Sequence, residues 1–106
     1  MIYFISAENT SLVKIGYSKD PIERLPVLQR MSPVEMGFLK IINGDRQKEH
    51  VIHVKLRDCR SHGEWFRFTP KLLKIMKSCG EANIIYQKVV PDIHYKTFDE
   101  VINREL

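Results

Sequence analysis

Residues 2–17 read Ile-Tyr-Phe-Ile-Ser-Ala-Glu-Asn-Thr-Ser-Leu-Val-Lys-Ile-Gly-Tyr. Two short apolar runs rich in β-branched and aromatic residues, Ile2–Ser6 and Leu12–Tyr17, flank the polar segment Ala7–Ser11, which is the pattern of an antiparallel hairpin. Directly after it, Asp20-Pro21-Ile22-Glu23 places an N-cap, a proline at the first helical position and a glutamate three residues past the cap, so a helix starts here with Arg24 on its first turn. Pro26 removes a main-chain donor inside that helix, which predicts an irregular or bent helix ending before Pro33.

Working outward, Met36–Ile42 reads as a third strand. Asn43-Gly44-Asp45 then turns the chain and caps a helix expected from about Arg46 to Asp58, with Ile52, Leu56 and Cys59 on its apolar stripe and Glu49, His53 and Arg60 toward a polar face. Glu64–Phe68 reads as a short aromatic strand, in which Trp65 and Phe66 point to opposite faces. Thr69-Pro70 opens a helix carrying Leu72, Leu73, Met76 and Cys79 inward, stopped by Gly80. A further strand is expected over Asn83–Val90, and the capping box Thr97-Phe98-Asp99-Glu100 begins a last helix. The expected fold is therefore α/β of the α+β kind: a small central antiparallel sheet of three or more strands flanked by helices. Residues 1–80 form its core, and residues 81–106 form a strand-helix extension of the same single domain.

With 106 residues, of which 43% are hydrophobic, the chain suffices for one modest core and not for two domains. It has no apolar run of the roughly 18 residues a membrane span needs, and Met1–Ile5 lacks the basic lead of a signal peptide, so a cytoplasmic location is expected. Two cysteines, Cys59 and Cys79, are too few for a disulfide framework. Seventeen Lys plus Arg against thirteen Asp plus Glu give a formal charge of +4, a mild bias toward polyanions such as nucleic acid. The spacing of His50, His53, Cys59 and His62 superficially suggests zinc, but Cys59 fits equally as the last apolar position of its helix.

Four polar residues stand out on successive elements: Tyr3, Lys14, Arg24 and Glu49. Met1-Ile2-Tyr3, Lys14-Ile15-Gly16, Arg24-Leu25, Glu49 with His53, and Gly63-Glu64-Trp65-Phe66 follow one another in an order that resembles the GIY-YIG nuclease superfamily. The resemblance is to its small phage and bacterial branch, often described as DNA-binding, and covers residues 1 to about 75. It implies hydrolysis of a DNA phosphodiester with one divalent cation, Mg²⁺ or Mn²⁺, held by Glu49. Tyr3 would activate water, Arg24 would stabilise charge on the phosphorus, and Lys14 would give electrostatic support. Leu28 stands where many active members carry Tyr or His, and Asn83 is only a loose match to a late buttressing asparagine.

The chemistry of these side chains agrees with such roles independently. A hard divalent cation that keeps several waters needs only one or two protein oxygens when phosphate supplies the rest. Arg24 offers a planar fork to phosphate oxygens and stays charged at any working pH. Lys14, His53 and Lys19 are expected as further contacts to the DNA backbone. Plainer roles compete with each of these: a core-edge aromatic for Tyr3, a solvated strand face for Lys14, a surface ion pair with Glu23 or Glu8 for Arg24, and an exposed i,i+4 pair with His53 for Glu49. Three functions follow: a metal-dependent DNA endonuclease, a non-catalytic DNA-binding module on the same scaffold, or a phage or bacterial protein-interaction domain. No base-reading module is appended, so long-site specificity would fall to a homodimer, a protein partner or residues 81–106.

Overall fold

Both faces of the first strand are covered, which is why its sequence is a continuous apolar run rather than an alternation. The computed structural model describes residues 1–79; the expected strand at Asn83–Val90, the helix from Thr97 and the 80/81 boundary lie outside the described residues. Within them, β1 (Ile2–Ala7), β2 (Leu12–Tyr17), β3 (Met36–Ile42), β4 (Arg60–His62) and β5 (Trp65–Arg67) form one antiparallel sheet in the order β3-β1-β2-β5-β4. Helices α1 (Pro21–Arg30), α2 (Arg46–Lys55) and α3 (Pro70–Ser78) flank it. The expected α+β architecture is thus the observed one.

Central β1 divides the core by parity. Ile2 and Phe4 join Val13, Ile15, Phe66 and Phe68 on the face closed by Ile52 and Leu56 near α2 and by Leu72 of α3. Tyr3 and Ile5 join Phe38, Ile41 and Met36 on the face closed by Leu25 and Leu28 of α1. A register shift in the β1–β3 ladder, where Phe4 pairs with Lys40 but Ile5 with Phe38, skips Leu39. Such a bulge resets the two-residue period, so Met36, Phe38 and Ile41 share a face, while Leu39 packs against the opposite cluster. Lys40, facing the same side as Phe4, reaches across to donate to the Met76 carbonyl at 2.6 Å, near the end of α3 where free carbonyls accumulate.

Each helix begins as its sequence dictates. Asp20, Asp45 and Thr69 accept from the backbone N–H three residues on, that of Glu23, Lys48 and Leu72 respectively. The first helix runs unbroken through Pro26. Gln29 then ties its end to β3, donating to the Val34 carbonyl and accepting from the Met36 N–H. The second helix is shorter than expected. It stops at Lys55, and a 3₁₀ turn over Arg57–Cys59 follows, which places buried Leu56 and Cys59 three residues apart on the tighter period. The turn also delivers β4, a strand the sequence reading missed because Arg60–His62 is polar and wholly exposed. Gly63 links β4 to β5 at φ +53°, a conformation that suits a residue without Cβ.

Cys59 and Cys79 are both free thiols. Cys59 lies 3.1 Å from the Thr69 hydroxyl rather than beside the histidines, and no cluster of three or more His, Cys, Asp or Glu suited to a metal occurs among the described residues. Among these residues, too, no helix is long and apolar enough to cross a membrane.

The tightest constraint in the hairpin is the seat of Tyr3, which pairs across the ladder with Gly16. A Cβ on Gly16 would lie 2.4 Å from the Tyr3 hydroxyl oxygen and 2.5 Å from the ring carbon bearing it, so the phenol occupies the space a side chain would need. Gly16→Ala is therefore expected to destabilise the fold by about 1–3 kcal/mol through overpacking. Gly63→Ala meets no atom within 4 Å and is expected to cost only about 1 kcal/mol for its backbone conformation. Urea denaturation followed by Trp65 fluorescence checks both, and a Gly16→Ala protein as stable as the parent would refute the seat.

Candidate phosphate-binding site

The site begins where the sheet stops. Short β5 pairs only with Leu12, Val13 and Lys14 of β2, so the second half of β2 has no strand partner on that edge. Its peptide groups are met in other ways. The Ile15 N–H donates to the Glu64 carbonyl at 3.0 Å, and the Ile15 carbonyl lies 2.8 Å from His53 Nε2. A carbonyl only accepts, so that nitrogen carries a hydrogen and donates it. His53 is thereby a strut between α2 and β2, steadied by an edge-on contact with the Phe66 ring at 4.9 Å. The phosphate contact expected of His53 is replaced, at Nε2, by this bond.

Along that open edge lie two adjoining clefts. One, of about 500 Å³, is lined by Tyr3, Tyr17, Ser18, Lys19, Arg24, Arg46 and Glu64. The other, of about 540 Å³, is lined by Glu49, His50, His53, Val54, Arg57, Arg60, Gly63 and Glu64. Glu64 belongs to both. Tyr3, Arg24 and Lys19 are therefore brought together, Glu49 stands next door with His53, and Lys14 lies to one side. Lys14 lines a smaller pocket with Leu28, Met36 and Trp65. Its ammonium sits 3.2 Å from Glu64 and 5.5 Å from the centre of the Trp65 ring.

The plainer roles fare unevenly. Arg24 forms no ion pair with Glu23 or Glu8 among the described residues and instead faces the Tyr3 hydroxyl. Leu28 is a buried core residue. Glu49 and His53 do pair, but at 4.0 Å, because the histidine is held by the Ile15 carbonyl. In consequence Glu49 Oε2 is buried without a hydrogen-bond partner.

Electrostatics follow from this packing. Burial pushes the Glu49 carboxyl above its ordinary value, Glu64 adds to the rise, and His53, Arg46 and His50 oppose it. Burial likewise raises the Tyr3 phenol, again aided by Glu64, while a hydrogen bond from Arg24 works the other way. Lys14, expected to act on Tyr3 through its field, is engaged by Glu64, the carboxylate that opposes phenol ionisation. The sequence reading names Glu64 only within the Gly63-Glu64-Trp65-Phe66 motif, without a role at the site, and does not single out Arg46 and Tyr17. Arg46 stacks 4.8 Å from the centre of the Tyr17 ring, a cation–π contact that fixes it at the cleft wall. A signal existed for Glu64, an acidic residue just before an aromatic strand; none existed for Arg46 and Tyr17, which meet only through the fold.

Which residues could hold a metal is answered by one atom. A buried carboxylate oxygen without a donor, beside a second carboxylate and two open clefts, has the chemistry of a site for a hard divalent cation. Glu49 and, next to it, Glu64 are the protein oxygens available there.

No curated protein and no solved structure matches the chain. A family model does match, that of the T5orf172 domain, over residues 1–105. This is a different family from GIY-YIG, and the resemblance read from the short fragments is corrected accordingly. Two of those fragments, Met1-Ile2-Tyr3 and Lys14-Ile15-Gly16, are what the hairpin geometry demands, an apolar strand bearing an aromatic residue opposite a glycine, and such demands do not single out one family. Roles for Tyr3, Lys14, Arg24 and Glu49 therefore rest on the geometry above, and the chain belongs to the T5orf172 domain family.

Proposed function

We propose that the two clefts form the site of a metal-dependent DNA endonuclease that hydrolyses a backbone phosphodiester. The T5orf172 domain is a phage-associated, nuclease-like DNA-binding domain, which supports DNA as the partner. The observation that carries the hydrolytic reading is the buried, unpartnered Oε2 of Glu49 beside the cleft of Tyr3 and Arg24.

Glu49 would hold Mg²⁺ or Mn²⁺, which would supply Lewis-acid polarisation of the phosphoryl group. The chain's own residues do the rest. Arg24 binds phosphate oxygens in the same cleft and stabilises the charge that builds as the phosphorus is attacked. Lys19 adds a flanking charge from the same cleft wall. Tyr3, held in its protonated form by burial, orients the attacking water through its hydroxyl rather than deprotonating it, and Glu64 is the carboxylate in that cleft placed to take the proton. Lys14 holds Glu64 through their ion pair, and His53 holds α2, and so Glu49, against β2.

A second reading, a DNA-binding module without chemistry, is favoured by one observation: the phenol is pushed away from the phenolate a strong base would need. Nicking of supercoiled plasmid in Mg²⁺ or Mn²⁺ separates the two. The endonuclease reading expects cleavage by the parent protein, with losses of roughly a hundredfold or more for both Glu49→Gln and Arg24→Ala. DNA binding without nicking above the Glu49→Gln background would leave the module.

Metal binding and pH are linked through Glu49. Its carboxyl is raised on folding, so the charged form is the costly one. That cost is absent at acid pH, grows as pH rises past the ordinary value of 4.5, and is complete above the folded-state value. Glu49→Gln, neutral at every pH, is expected to melt a few degrees higher than the parent at neutral pH, with the gap closing as the pH falls below that range. Mn²⁺ is expected to raise the melting temperature of the parent and not of the variant. A variant less stable than the parent at neutral pH, or an equal response to Mn²⁺, would remove Glu49 from the metal site.

A further inference from the structure

Cations in the described part of the chain fall into two sets. Several are tethered by the fold: Lys40 to the Met76 carbonyl, Lys48 to the Asn43 carbonyl, Arg67 to the carbonyls of Asp58 and Arg60, and Lys71 to the Asp58 carboxylate. Arg57 is different. It is exposed, it lines the second cleft, and its side chain is engaged in no hydrogen bond or ion pair among the described residues. Arg60, in the same wall, donates from Nε to the Gly63 carbonyl at 2.8 Å, a bond that orders the side chain and leaves its two terminal nitrogens for a ligand.

This second cleft joins the first across Glu64, which lines both. The result is one groove with Lys19, Arg24 and Arg46 at one end, Arg57 and Arg60 at the other, and the carboxylates of Glu49 and Glu64 between. That distribution is complementary to an extended polyanion whose central unit is bridged by a cation. It does not suit a single phosphate, which one end would satisfy alone, and an acidic peptide lacks the regular charge spacing that would reward both ends.

We propose that Arg57 and Arg60 form a second phosphate subsite, so that one DNA strand runs across Glu64 from the Arg24 cleft into the Arg57 cleft; this rests on the DNA reading above. The subsite positions the strand and carries no base recognition, because its contacts are to the backbone. It extends the footprint beyond the phosphate at Arg24 and fixes the direction in which the strand leaves the site.

The test is binding of a fluorescein-labelled DNA duplex, read by anisotropy in EDTA across a salt series, so that cleavage does not intrude. Arg57→Ala is expected to weaken binding about three- to tenfold at low salt and to flatten the slope of log K against log salt by about 0.9, the loss of one phosphate contact. Arg57→Glu should weaken it further. Lys74→Ala, an exposed α3 residue outside both clefts, controls for the loss of one charge and is expected to leave the slope unchanged. The Arg57 side chain makes no hydrogen bond or ion pair among the described residues, so its variants should fold, and melting temperatures equal to the parent's verify this. Parent-like binding by both Arg57 variants, with Arg24→Ala still impaired, would overturn the subsite and leave the DNA reading standing. Equal losses for Arg57→Ala and Lys74→Ala would overturn it as mere bulk charge. Absence of DNA binding by the parent at low salt would remove both.

Discussion

Everything at the site depends on how one half-strand is satisfied. In β2 the peptide groups facing β5 lose their ladder after Lys14, and an unpaired amide or carbonyl at that depth costs about 1–3 kcal/mol. Had β5 been longer, the ladder would have continued past Ile15 and closed the edge. Instead the Ile15 N–H bonds to the Glu64 carbonyl and the Ile15 carbonyl accepts from His53, so the chain's answer brings a turn residue and a helix residue to the same place. Two acidic side chains arrive with them. Glu64 follows from its own carbonyl, and Glu49 lies one helical turn before His53. The bonds that finish the sheet are thus the ones that assemble the carboxylates.

This arrangement also explains why charged side chains of different elements border the same open clefts. A closed sheet edge would leave α1 and α2 on opposite faces with the sheet between them. The free edge lets residues of both helices border adjoining spaces, Arg24 from α1 and Arg46 from the start of α2 lining the same one. Because the carboxylates meet at this edge, the carboxyl of Glu49 and the phenol of Tyr3 both feel Glu64 as well as their own burial. The strain is electrostatic rather than conformational, and it is of the kind a cation or a proton relieves.

Fold and site were legible in the sequence to different extents, for reasons that particular residues display. The hairpin, the three capped helices and β3 were readable because their signals are local: two apolar runs about a polar segment in Ile2–Tyr17, and a capping side chain with a proline or acidic residue at Asp20, Asp45 and Thr69. Strand β4 was not, since Arg60–His62 has no apolar face and exists by pairing with β5. The bulge past Leu39 was invisible for a similar reason, as it is decided by which residues the two core faces require. At the site, Tyr3, Arg24 and Glu49 could be picked out one by one. Their separation into two clefts, and the place of Glu64 between them, depended on the length of β5, which no residue of the site encodes.

The bridging position of Glu64 sets a condition on any anion that enters. Two carboxylates in the middle of a groove repel a phosphate, and at the few-ångström separations of such a site that repulsion is comparable to what a neighbouring arginine gains back, on the order of a few kcal/mol at the effective dielectric of a protein surface. Lys14 already offsets part of the charge on Glu64, at 3.2 Å, whereas the buried oxygen of Glu49 accepts no hydrogen bond among the described residues and has only the more distant His53, Arg46 and His50 to oppose its charge. The cations at the two ends of the groove therefore hold a polyanion by themselves, and positive charge added beside Glu49 tightens that hold by relieving the repulsion at the acidic centre.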